Sequence, residues 1–242
     1  MEKDGMALAI RFAHRVNEQC YCGPEGCHNT FIEYLEHGTN KEQVREDIAQ
    51  FESLGPYLMA IAKKNGKDFL DFDVAEAYWI GNELLDDFKR EEMKSIIYQL
   101  VKRIPSYSII AVDRLERLTE GYVPHHNFHV MYMGGGNTFG KLPTTIEFME
   151  LCRVSWGTVT EVSEENLELK VTKNELVEKD KKLKLIEKEN QIIKYHPSFI
   201  NPKVNDVVAI HHKVANMVLT PDQQERLEKY TNLILDLRNL TW

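Results

Sequence analysis

The chain has 242 residues, 43% of them hydrophobic, and a formal net charge of −8 at pH 7. That length is long for one small domain and comfortable for two, and the acidic balance argues against a nucleic-acid binder, whose affinity comes from neutralising phosphates. No run approaches the roughly eighteen apolar residues of a membrane span, and the start Met1-Glu2-Lys3-Asp4-Gly5 lacks the basic-then-apolar plan of a signal peptide; a cytoplasmic protein with no nucleic-acid or membrane partner is expected.

Leu8, Phe12 and Val16 recur every four residues and predict a helix over residues 6–19. Two glycines and a proline make Cys20 to His28 a loop, after which a helix starting at Asn29 or Thr30 carries Phe31, Tyr34 and Leu35. A longer helical stretch is expected over residues 40–65, with Asn40 as N-cap, an interruption at Gly55-Pro56 and a stop at Asn65-Gly66. The most regular pattern is at 73–88, where Val74, Tyr78, Trp79, Ile80, Leu84 and Leu85 form a broad apolar face and Asp73 is the candidate N-cap. Further helices are expected at 90–103, stopped by Pro105, and at 107–119.

From Gly121 the character changes. A histidine-rich turn (Pro124-His125-His126-Asn127-Phe128-His129) leads into a short apolar strand or buried segment, then a flexible glycine loop over 134–140. A short helix from Thr144 to Leu151 is expected to join the two halves. Strands follow at 153–162, 166–172, 183–187, 190–195 and 206–214, with Glu175 to Lys184 as an exposed hairpin or turn. Thr220-Pro221-Asp222-Gln223 starts a last helix with a capping box, and Leu227, Tyr230, Leu233, Ile234 and Leu237 form its stripe. The expected class is α+β: an all-helical domain over 1–150, then a small β-barrel with a C-terminal helix over 151–242.

Three constellations could carry chemistry. Cys20-x-Cys22-x-x-x-x-Cys27-His28 offers thiolates and imidazole suited to zinc or iron, although its spacing matches no standard zinc knuckle. If the histidine segment is extended, His125, Asn127 and His129 share one side and His126 and Phe128 the other, aiming imidazoles at a common point. Asn82 and Glu83 interrupt an apolar helix face, where a carboxylate is either paired, functional or turned to solvent. Cys22, Glu83, His126 and His129 are therefore the candidate site of the helical part. The bland reading of each group is packing under a loop, hydrogen bonding to backbone, or solvation.

Leu151-Cys152-Arg153-Val154-Ser155-Trp156-Gly157-Thr158-Val159 and, about fifty residues on, Val208-Ala209-Ile210-His211 resemble two motifs of the HypC/HupF family of hydrogenase-maturation chaperones. That family has a small OB-like barrel with a terminal helix, and its N-terminal cysteine and a strand histidine help carry the iron fragment of the [NiFe] site. The resemblance puts Cys152 and His211 in those places; Trp156 stands where the family has proline and Lys213 where it has glycine. Tyr21-Cys22-Gly23-Pro24, Tyr78 to Leu85 and Pro124 to Val130 together resemble an uncharacterised prokaryotic family associated with hydrogenase genes, which supplies no established activity. The resemblance implies a metallocentre-assembly protein that holds iron, with CO or cyanide ligands, rather than zinc, and works with a maturation scaffold or a hydrogenase large subunit. The alternative is a metal-dependent enzyme in which Glu83 and His126 are catalytic, Cys22 and His129 complete the site, and the barrel docks a partner. A bland interaction module without metal is the third reading.

Overall fold

The computed structural model describes residues 3–135 and 145–242. The N-terminal part is helical: α1 (Gly5–Glu18), α2 (Cys27–His37), α3 (Lys41–Gln50), α4 (Leu54–Asn65), α5 (Phe72–Trp79), α6 (Arg90–Arg103), α7 (Ser108–Arg117), α8 (His126–Met131) and α9 (Ile146–Cys152). Asp4 caps α1 by accepting the Ala7 N–H at 3.0 Å. Leu8, Phe12 and Ala13 of α1 are buried.

Several boundaries differ from expectation for local reasons. The break in the 40–65 stretch lies at Phe51–Ser53, and Gly55 and Pro56 sit inside the first turn of α4, where proline's missing N–H is not needed. Asn40 has φ 59° and makes no side-chain cap. The expected 73–88 helix stops at Trp79. Gly81, at φ +99°, turns the chain where a Cβ would come within 2.1 Å of the Tyr230 ring, so glycine is required by conformation and by space. Asn82 then caps a 3-10 turn over Glu83–Leu85 and donates back to the Asp73 carbonyl at 2.8 Å. The glycine loop expected at 134–140 lies outside the described residues from Gly136 on, as does Thr144.

The C-terminal part is a closed five-stranded barrel: β1 (Ser155–Ser163), β2 (Glu168–Lys179), β3 (Lys182–Tyr195), β4 (Val207–His211) and β5 (Val214–Leu219), in the order β1-β2-β3-β5-β4. β3 and β5 run parallel and the other neighbours antiparallel, an OB-like arrangement. The charged run expected as an exposed hairpin or turn is a hairpin: β2 and β3 extend through it to a tight turn at Asp180-Lys181, both at positive φ. Residues 183–187 and 190–195 belong to one strand. The run 206–214 is instead a hairpin, split at His212-Lys213. The closing helix α10 (Pro221–Thr241) carries the capping box of Thr220 and Gln223.

One hydrophobic core runs from α1 through α5, α8 and α9 to β1, β5 and α10, joining Phe12, Trp79, Phe128, Cys152, Trp156, Leu219 and Tyr230. It crosses the boundary expected at residue 150. A separate cluster fills the barrel, with Val159, Val171, Ile193 and Val208 at its centre. No helix among the described residues is long and apolar enough to cross a membrane.

Candidate metal centre

Three chain segments meet where helices and barrel join. Cys152 is the last residue of α9, His211 the last of β4, and His126 the first of α8. Asn127 secures the first approach. Its Nδ2 donates to the Val154 carbonyl at 2.9 Å and its Oδ1 accepts the Val154 N–H at 2.8 Å, so the side-chain amide pairs with the backbone two residues past Cys152. Nδ2 also reaches Thr231 Oγ1 of α10 at 2.9 Å. The β4–β5 hairpin docks alongside, the His212 N–H donating to the Leu151 carbonyl at 2.9 Å. One ligand atom from each of His126, Cys152 and His211 consequently lies within 4.8 Å of the others, and all three residues are buried.

This packing requires α8 to be helical, where a histidine-rich turn leading into a short strand or buried segment was expected. His125 caps it, Nδ1 accepting the Asn127 N–H at 3.0 Å. In a helix His126 and His129 share a face three residues apart, and both line the same cavity while His125 does not. The extended alternation that grouped His125 with His129 is thus replaced.

Hydrogen bonds assign the tautomers. His211 Nδ1–H donates to the Phe12 carbonyl at 2.8 Å; its buried Nε2 makes no hydrogen bond of good geometry, with the Cys152 backbone also close to the ring. His126 Nε2–H donates to the Cys152 carbonyl at 2.9 Å, and its Nδ1 accepts from the Tyr78 hydroxyl at 3.0 Å. His211 therefore offers Nε2 as a donor atom as it stands, whereas His126 ligates only by giving up one bond. Burial lowers the His211 and His129 pKa values to about 4 and that of His126 well below the usual imidazole value, with the neighbouring His211 and His129 adding to the last. Burial also pushes the Cys152 thiol up to about 12. The centre is thus neutral, and a thiolate there is unfavourable until a cation adjoins it.

The cavity at this centre has a volume of about 40 Å³. Trp79, Phe51 and Phe148 make it largely apolar, and Cys22, Ser53 and His129 add polar groups to its wall. Cys22 lies outside the close group of three. Its thiol donates to Glu52 Oε2 at 3.4 Å, and its pKa is raised well above the ordinary thiol value by burial first and by the Glu52 charge second. Tyr107 Oη lies 3.4 Å from His129 Nδ1. The cysteine loop does not form one ligand set: Cys20 is exposed, and Cys27 is buried at the start of α2.

Glu83 does not belong with Cys22, His126 and His129. Its side chain is 78% exposed and faces Arg226 at 3.9 Å, because α5 ends before it and the 3-10 turn directs it to solvent. The buried carboxylate of this region is Glu76, bonded to Asn82 Nδ2 at 3.1 Å and Gln223 Nε2 at 2.7 Å. Tyr78, Glu52 and Asn127 carry no sequence signal for their roles: Tyr78 reads as one member of an apolar stripe, and the other two act on segments remote in the chain.

The family model described as "Family of unknown function (DUF6390)" matches residues 1–242, and the chain belongs to that family. That description names no HypC/HupF relation. No curated protein and no solved structure matches the chain.

Proposed function

We propose that the protein is a metallocentre-assembly protein that holds iron as cargo on Cys152, His211 and His126. The observation that carries this reading is the convergence of those three donors from three separate elements, with His211 Nε2 buried and making no hydrogen bond of good geometry. A thiolate and imidazoles suit both iron and zinc; the motif resemblance, not the donor set, is what favours iron. Three protein ligands leave an open position, and the Cys152 proton departs as the metal arrives. A volume of about 40 Å³ corresponds to about three water molecules, enough for an ion with diatomic ligands such as CO or cyanide and too little for most organic substrates. The Cys152 and His211 motifs that resemble HypC/HupF motivate [NiFe]-hydrogenase maturation as the setting and a maturation scaffold or hydrogenase large subunit as partner.

The alternative, a metal-dependent enzyme built on Cys22, His126 and His129, has the Cys22–Glu52 contact in its favour; the cavity size weighs against it. The test is iron stoichiometry in anaerobically purified protein, wild type beside Cys152→Ala, with infrared spectroscopy for bound CO and cyanide. Iron in the wild type that is lost in the variant is the expected outcome. Iron retained equally in both would shift the chemistry to Cys22 and the enzyme reading, and no iron in either would reject the iron-carrier reading.

A further inference from the structure

A second pocket, of about 440 Å³, is lined by His14, His196 and His212. His14 and His196 have ring centroids 6.4 Å apart. Adjacent residues of the β4–β5 hairpin line this pocket and the buried cavity. His212 lines the outer pocket, His211 the inner cavity, and their ring centroids are 4.7 Å apart. Tyr21 and Phe148, which line the inner cavity, stand 5.7 and 6.4 Å from the His212 ring.

The two imidazoles are prepared alike. His212 Nδ1–H donates to Gln19 Oε1 at 3.0 Å, as His211 Nδ1–H does to the Phe12 carbonyl. Each residue is 2% exposed, and each Nε2 is buried and makes no hydrogen bond of good geometry. His212 and Lys213 also hold φ values of 50° and 58°, left-handed conformations that cost about 1 kcal/mol each and that an Asn-Gly pair would adopt readily. A costly turn thus carries an unpaired imidazole between two spaces.

We propose that His212 is a transfer station through which a divalent first-row metal ion passes from the outer pocket to the buried centre. This rests on the metal-holding reading above. An ion passed between two imidazoles at bonds of about 2 Å needs nitrogens no more than about 4 Å apart, and these two rings are immediate neighbours, with centroids 4.7 Å apart. Each hop exchanges one nitrogen ligand for the next, with no change of oxidation state. His14 and His196, which also line this pocket, supply further nitrogen donors. Of the cationic side chains lining the pocket, Arg15 is paired with Glu18 and Lys194 with Glu168, while Lys213 has no ion pair among the described residues.

The test is stopped-flow loading of chelator-treated protein with Co2+ alone, followed by the thiolate-to-cobalt charge-transfer band that Cys152 provides. His212→Asn keeps a side-chain N–H for Gln19 and tolerates the left-handed backbone, but lacks Nε2. Loading and release both slow by about tenfold or more, while Kd and the thermal melt stay those of the wild type. An unchanged loading rate overturns the route. A Kd weakened in step with the rate also overturns it, making His212 a ligand or a support of the fold. Absence of the band in the wild type rejects the metal centre itself, and the route with it.

Discussion

Removing the Asn127 side chain tests whether the amide clamp holds the centre together. Asn127→Ala orphans the Val154 N–H and C=O, both now bonded to Asn127 at 2.8 and 2.9 Å. Val154 and Asn127 are each 0% exposed, so bulk water does not replace those bonds. Thr231 Oγ1 keeps its own bond to the Leu227 carbonyl at 2.6 Å and loses little. Two orphaned buried backbone groups at about 1–3 kcal/mol each give a loss of about 4 kcal/mol, a large share of the roughly 5–15 kcal/mol of a typical domain. Urea unfolding is the assay: the midpoint falls by about 1 M or more with an unchanged slope. At temperatures where the variant stays folded, Co2+ affinity also falls, because Val154 sets the position of Cys152 two residues before it. A loss below about 1 kcal/mol with unaltered metal affinity would refute the clamp.

Acid should unfold the protein through its buried histidines. The pKa values of His129 and His211 are lowered to about 4 and that of His125 to about 3, in each case by burial first. Between the unfolded value of about 6.5 and these folded values, the unfolded chain binds protons that the folded one refuses, so stability is full above pH 6.5 and falls as pH drops through that window. His129 and His211 each contribute up to about 3 kcal/mol and His125 up to about 5 kcal/mol, and thermal melts should show Tm falling steadily from pH 6.5 to pH 4; a Tm unchanged between pH 7 and 5 would show that these rings are not buried neutral. Glu83→Gln, by contrast, removes only a surface contact with Arg226 at 3.9 Å. Stability should stay within about 0.5 kcal/mol of wild type and Co2+ loading should be unaffected; lost metal binding would return Glu83 to the site.

Much of the helical order is written locally. Thr220 and Gln223 form the capping box that their spacing announces, and α6 covers the stretch expected before Pro105. Such signals are legible because capping and periodicity act within a turn or two of chain. Cys152 and His211 are singled out by short motifs for the same reason: each lies in a contiguous run with a recognisable neighbour pattern. Six residues of α8, in contrast, are too few for periodicity to separate helix from strand. Its conformation depends on Asn127 meeting Val154, 27 positions away.

Only the tertiary structure decides what the centre is made of. Glu83 leaves it because Gly81 turns the chain under Tyr230, a contact made across the whole fold. His126 joins Cys152 across 26 positions, and the Nε2 lone pair of His211 depends on the Phe12 carbonyl 199 positions away. Residue types and local elements follow from short-range sterics and hydrogen bonds that the sequence displays directly. Which donors face one another, and which nitrogen is left free, follows from packing between segments that have no reason to be near until the core closes around them.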